Sequence, residues 1–248
     1  MALRKLAVAW ITLSLTMFSS ITFGEELTLG LAQNEAVQDV AAELLSEIYK
    51  RAGLTSKIEP LPPARITQMV LNDQLDGEVA RIGPYFEKNP SLFKVEPSYY
   101  YLVTTAFAKT DRNIVFNSIG DLKKYRVGII RGVYHAAIAT EGVPKLEVTD
   151  SVTQLFKMLE SNRIDIAVDV GINGQDTINQ LDLKGIKIVG AIAKRDFYNV
   201  LIQSKADLAP RISSVIKSMN ASGELNKLIK SAEMKRLNAR SIFHGTVK

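Results

Sequence analysis

Ile66–Ile82 (ITQMVLNDQLDGEVARI) and Val152–Val170 (VTQLFKMLESNRIDIAVDV) carry nearly the same pattern. From Asp76 to Asp165 they lie 89 positions apart. Each has apolar residues at helical spacing, then a polar turn, an Asp and a short apolar run. That order reads as amphipathic helix, turn and buried strand. Its recurrence predicts two similar α/β lobes, and two lobes leave a cleft between them.

Working outward, Leu27–Leu31 alternates as a first strand. Val37, Val40, Ala41, Leu44, Leu45 and Ile48 share one helical face; Asn34 is placed to cap that helix and Gly53 to end it. Lys57–Leu61 is a second strand, and Pro62-Pro63 open the helix of the first repeat. Gly77–Ile82 completes β-α-β-α-β, the start of a mainly parallel sheet. Three prolines between Gly83 and Tyr101 predict irregular chain. Leu102–Ala108 reads as a strand crossing into the second lobe. There, strands at Val127–Ile130, Leu146–Val148 and Ile164–Val170 are separated by a short helix and by the helix of the second repeat, and Ile186–Ile192 is another strand. Phe197–Ile202 reads as the return strand. Helices at 208–219 and 224–234 pack on the first lobe, and 241–248 form a loose tail.

The N-terminus reads as a secretory signal peptide, residues 1–24. Arg4 and Lys5 precede an apolar stretch, Leu6–Phe18, and Thr22 and Gly24 are small residues before a cut at Glu25. The apolar stretch is short of the roughly 20 residues of a membrane span. Glu25–Lys248 is 224 residues, enough for two lobes of about 100 residues each. The boundaries expected are 25–106 with 196–248 for lobe 1, and 107–195 for lobe 2.

Composition narrows the function. Beyond the leader, 29 basic side chains face 26 acidic ones, scattered rather than massed. Nucleic-acid binding calls for a concentrated basic footprint, so no nucleic-acid partner is expected. There is no Cys and there are two His, so neither a metal centre nor a lipid-bearing cysteine is expected. No G-x-S-x-G, G-x-x-x-x-G-K or H-E-x-x-H motif occurs, and no cofactor or enzyme activity is predicted.

Several stretches resemble the bacterial extracellular solute-binding proteins of family 3, the amino-acid-binding components of ABC transporters. They are Asp76-Gly77 with its strand, Val95-Glu96-Pro97-Ser98-Tyr99-Tyr100, Ile119–Gly128 (IGDLKKYRVG), Gly132-Val133-Tyr134, Arg163–Val168 (RIDIAV) and Tyr198–Ile202. The resemblance implies a type II periplasmic-binding-protein-like fold, a two-lobed α/β Venus flytrap with a discontinuous first lobe and a hinge of two crossing strands. It also implies a monomer in the periplasm, handing a solute to an ABC permease. The departures are specific. The family's ligand-clamping Arg falls at Lys88 here, its ammonium-binding Asp falls at Val170, and its loop before the first helix is shortened. Strand alternation turns Asp169 to the face opposite Val170.

Ligands of open α/β sheets bind beyond the carboxyl ends of the strands. That rule selects Arg81, the turn Arg131-Gly132-Val133-Tyr134, and Asp169; Arg65, at the start of the helix that precedes Arg81's strand, and Tyr99, before the crossing strand, are further candidates, and the family resemblance adds Lys88. Arg81 or Lys88 offers a carboxylate partner. Arg131 and the backbone N–H groups of its turn offer an anion site. Asp169 or Asn173 meets an amine or hydroxyl. Arg81 is also placed to pair with Glu87 or Glu96, and Asp169 to orient Arg131. His135 reads as a solvated helix residue. The expectation is capture of a small polar or anionic solute, amino-acid-like or a carboxylate. The alternatives are a lyase of the cyclohexadienyl dehydratase type and a ligand-presenting sensory accessory protein.

Overall fold

The computed structural model describes residues 26–238; the expected signal peptide and the 241–248 tail lie outside them. A mixed sheet forms the spine. Strands β1 (Glu26–Ala32), β2 (Thr55–Leu61) and β3 (Gly77–Ile82) are parallel, with β1 in the middle. In the second lobe β6 (Val127–Ile130) lies parallel between β7 (Leu146–Thr149) and β8 (Ile166–Val170). The two sets are joined by β5 (Tyr100–Lys109) and β9 (Ile186–Leu201), which pair antiparallel from Tyr100↔Phe197 to Lys109↔Ile186. Beyond that ladder β9 pairs β3 and the short β4 (Phe93–Lys94), while β5 pairs β8. The strand order is β2-β1-β3-β9-β5-β8-β6-β7. This is the two-lobed periplasmic-binding-protein fold.

Two stretches depart from the sequence reading. Ile186–Leu201 is one strand, not two, because the charged run Lys194-Arg195-Asp196 continues the ladder opposite Val103, Leu102 and Tyr101. Gly83–Lys88 is a short helix, α3, not irregular chain. Its Pro84 sits in the first turn, where a missing N–H breaks no helical hydrogen bond.

The repeated units share the same backbone bonds from helix exit to strand start. Helix α2 (Pro63–Leu71) ends at Asp73 in the left-handed region, φ 53°, and α5 (Val152–Glu160) ends at Asn162, φ 58°. Both exits close the same way. Gln74 N–H donates to the Met69 carbonyl and Arg163 N–H to that of Met158; Asp73 donates to Val70 and Asn162 to Leu159. These are the two backbone bonds of a Schellman motif, which Asn and Asp tolerate without glycine. Three residues later comes the Asp. Asp76 Oδ2 accepts the Thr28 N–H at 2.7 Å while its own N–H donates to the Thr28 carbonyl. Asp165 Oδ2 accepts the Arg126 N–H at 3.0 Å while its own N–H donates to the Arg126 carbonyl. Each Asp therefore clips its strand to the start of the neighbouring parallel strand.

Helix α1 (Ala36–Arg51) buries Val37, Val40, Leu44 and Ile48 against the first lobe's sheet. Helices α7 (Ala209–Ala221) and α8 (Glu224–Asn238) pack beside it. In the second lobe α4 (Tyr134–Ala139) contributes Ala136 and Ala139 to one core cluster. On the other side Phe107, Phe156 and Leu159 form the core beneath α5. Helix α6 (Gly171–Gln180) leaves β8 and reaches α1 and α8. Val170, at the end of β8, packs into the first lobe's cluster, so the lobes touch there.

Replacing either clip leaves a strand-end N–H without its acceptor. Asp76→Ala and Asp165→Ala should each lower stability by about 1–3 kcal/mol, read by urea denaturation. Equal stability of both variants with the parent would disprove the clip's contribution.

Candidate functional site

Carboxyl ends of β3 and β8, the loop before α1, and the β6–α4 turn converge on one cleft of about 690 Å³. First-lobe residues on its wall include Glu35, Gln38, Arg81, Tyr85 and Lys88; second-lobe residues include Arg131, Tyr134, His135, Asp150 and Asp169. Of the residues selected from sequence, Arg81, Lys88, Arg131, Gly132, Val133, Tyr134 and Asp169 meet here.

Two selected residues are elsewhere. Tyr99 is a core residue, 1% exposed, and its hydroxyl donates to the Val79 carbonyl at 2.8 Å. Burial raises its phenol well above the ordinary value. It precedes β5, but its neighbours in the first-lobe core claim it before the cleft can. Arg65 lies exposed on the first turn of α2, outside the cleft wall. One turn of helix is enough to rotate it away from Arg81.

Arg81 is held rather than free. Its Nε pairs with the buried Glu78, its Nη2 donates to the Pro63 carbonyl at 3.4 Å, and its guanidinium stands 4.8 Å from the Tyr85 ring centroid. Tyr85 donates to the other oxygen of Glu78. The partner is thus Glu78, three residues back on the same strand, rather than Glu87 or Glu96. A β-bulge between Glu78 and Arg81 brings both to one side. Without that irregularity, strict alternation separates residues three apart.

Lys88 crosses the cleft, its Nζ 4.5 Å from the centroid of the Tyr134 ring. Arg131 pairs with Asp150 at 2.9 Å, both side chains exposed, so Asp150 and not Asp169 orients it. Gly132 takes φ 77°, which turns the chain from β6 into α4, only six residues long.

Helix α1 begins differently from expectation. Asn34 adopts φ 65° and Glu35 takes the capping position without a side-chain bond. The acceptor comes from the other lobe, where Asn173 Oδ1 receives the Val37 N–H at 2.9 Å. Glu35 is therefore left facing the cleft.

Asp169 is 2% exposed and its Oδ2 has no hydrogen-bond partner. Burial pushes its carboxyl up to about 7; a bond from the Val170 N–H opposes this and the charge of Glu35 adds to it. Glu35 is pushed up to about 7 as well, by burial first, with Arg81 opposing and Asp39 adding. Both Asp169 and Val170 border the cleft, because the strand ends there and α6 turns off. Alternation along β8 consequently does not remove Asp169 from it.

His135 is buried, not solvated, with Nδ1 3.0 Å from Thr104 Oγ1. Burial, reinforced by Arg195, pushes its imidazole down to about 4. No group of three or more His, Cys, Asp or Glu among the described residues is arranged to hold a metal ion. Glu35, Gln38, Glu78 and Tyr85 escaped the sequence reading.

No family model matches the chain. Across 92% of its length it is 24% identical to the arginine-binding extracellular protein ArtP of Bacillus subtilis (strain 168), covering 96% of that protein. A histidine kinase sensor domain with similarity to periplasmic binding proteins superposes with a TM-score of 0.68 at 16% identity, over 84% of this chain and 96% of that one. AbpA from Streptococcus pneumoniae, an amino acid ABC transporter substrate-binding protein bound to L-arginine, gives 0.67 at 16% identity, over 86% and 96%. The chain thus resembles an arginine-binding extracellular protein at low identity and shares its fold with amino-acid-binding proteins.

A neutral buried His135 costs stability as soon as the unfolded chain protonates. Its folded pKa is depressed, so stability present above about 6.5 is lost as pH falls toward 4, by roughly 2–3 kcal/mol at most. His135→Gln should flatten that part of the stability–pH profile. An unchanged slope between pH 6.5 and 4 would contradict the assignment.

Proposed function

We propose that the protein is a periplasmic binding protein that captures a small amino-acid-like or carboxylate solute between its lobes and delivers it to an ABC permease. The observation carrying this reading is a cleft whose wall is built from both lobes and holds opposed basic and acidic side chains. Arg81 and Lys88 line the first-lobe side, and Arg131 with the Gly132–Tyr134 turn lines the other. Arg81 retains donors beyond those given to Glu78 and Pro63, and a braced guanidinium is a good carboxylate partner. Lys88 is held over Tyr134 by a cation–π contact. A solute carboxylate competes for that lysine.

ArtP and AbpA bind arginine, which makes arginine the first solute to try. Their other shared property is that both are binding proteins, and no covalent step is needed for the role proposed here. Closure follows from β5 and β9, the two strands that pass between lobes and supply a hinge.

A ligand that binds only the folded state, present at about 100 times its dissociation constant, adds about 2.7 kcal/mol. For a chain of this size that raises Tm by roughly 5–11 °C. A thermal-shift screen of amino acids, dicarboxylates, polyamines and sugars should show one chemical class doing so. Arg81→Ala should abolish the shift. No response across the panel would refute the reading.

A further inference from the structure

We infer that Asn199 and Tyr99, two buried polar residues of the first lobe, are positioning residues for Arg81. They hold the bulge of β3, and the bulge sets the guanidinium on the cleft wall. The consequence for affinity rests on the solute-binding reading; the assignment of these two residues goes beyond it.

The bulge has a plain geometry. Glu78 pairs with Val200 and Arg81 with Tyr198, so two residues, Val79 and Ala80, face Asn199 alone. An extra residue leaves backbone groups without ladder partners, and a buried carbonyl without a donor is costly. Here side chains take the carbonyls one after another. Asn199 Nδ2 donates to the Glu78 carbonyl at 2.9 Å, and the Tyr99 hydroxyl to that of Val79 at 2.8 Å. Gln38 Nε2 reaches that of Ala80 at 3.4 Å. The donors come from β9, from the chain before β5, and from α1.

Asn199 is fully buried, and its other contacts fix it in this role. Its Oδ1 accepts the Tyr49 hydroxyl of α1 at 2.9 Å. Its backbone carbonyl accepts the Val95 N–H at 3.0 Å. The amide nitrogen is left to serve β3, with a longer bond to the Val200 carbonyl at 3.4 Å. Burial alone favours an apolar side chain at such a position; the carbonyl across the bulge accounts for a polar one. Tyr99, 1% exposed, spends its hydroxyl on the same stretch of backbone.

The bulge decides where Arg81 stands. On a regular strand Glu78 and Arg81 lie on opposite faces. With the extra residue they share one. The buried Glu78 carboxylate then receives Arg81 Nε on one oxygen and the Tyr85 hydroxyl on the other. Arg81 is thereby pinned through Nε on the wall of the cleft. Loss of the bulge separates the pair and leaves a buried carboxylate without its cation.

Nitrogen-15 NMR of the ligand-free protein reads this directly. Arg81→Lys identifies the Arg81 Nε–H signal, expected to exchange slowly and to lie away from that of solvated arginine. Asn199→Leu keeps the shape of the side chain, and Tyr99→Phe removes one hydroxyl. Each should return the signal to the solvated position or broaden it away. Ile212→Val, on α7 in the same core, should lower stability and leave the signal in place. A signal retained in both Asn199→Leu and Tyr99→Phe would overturn the inference. So would its loss in Ile212→Val, which would mark a general response to destabilisation. Calorimetric titration with L-arginine, L-glutamine and succinate supplies the second arm. Any probe that binds the parent should bind Asn199→Leu and Tyr99→Phe weaker by roughly tenfold or more, and Ile212→Val equally well. Unchanged affinity in both bulge variants overturns the inference too. Silence of all three probes on the parent counts against the solute-binding reading alone, and the NMR result then decides the positioning by itself.

Discussion

The ladder between β5 and β9 is the constraint on which the rest of the molecule depends. One antiparallel pair, running from Tyr100↔Phe197 to Lys109↔Ile186, belongs to both lobes at once. Every other strand hangs from it: β3 and β4 from the far end of β9, and β8 from β5. The ladder brings the carboxyl ends of β3 and β8 face to face, and a cleft between strand ends is where open α/β sheets bind ligands. Its register shifts lie at Thr104/Thr105 and Ala106/Phe107. The pairing is least regular where the chain leaves one lobe for the other.

Within each lobe the same small device aligns the sheet. A helix ends on a left-handed Asp or Asn, the chain reverses, and an Asp three residues on binds the backbone of the neighbouring strand in both directions. The two copies diverge along their strands. After Asp76 the strand bulges and carries Glu78 and Arg81 together to the cleft; after Asp165 it runs straight to Asp169 and Val170. One lobe therefore brings a braced cation and the other a buried acid with one oxygen lacking a donor. Such a pairing suits a solute with a carboxylate at one end and a positive group at the other.

Much of the architecture was legible because it is written in periodicity. The apolar positions of α1 and of the repeated helices, and the Asp-strand junctions, fix elements through local rules. The misses arose where tertiary pairing overrode composition. Lys194-Arg195-Asp196 looks like a break between strands until a partner ladder is supplied, and Pro84 looks like a breaker until it is seen in a first helical turn. The cleft was partly legible. Arg81 and the Arg131–Tyr134 turn follow from strand-end placement, and Lys88 from the family resemblance. Tyr99 was misplaced because alternation tells which face a residue takes but not which neighbour covers that face. Glu35 was invisible for a different reason. Its freedom depends on Asn173, 136 positions beyond Val37, taking over the cap of its helix.

That distant cap has a mechanical consequence. Asn173 and Val170 fasten the second lobe to the first at the inner end of the cleft, so on the proposed reading this junction acts as a fulcrum. Points near a fulcrum move little while points far from it sweep widely. A solute group held at the inner end meets the same surroundings whether the jaws are apart or together. It sets how tightly the solute is held but shifts no equilibrium, since only differential affinity does that. On the same reading the drive to close comes from contacts that form only between the jaws, such as that of Lys88 with Tyr134. Selection and closure are thereby divided between two ends of one cleft, and evolution can retune either without disturbing the other.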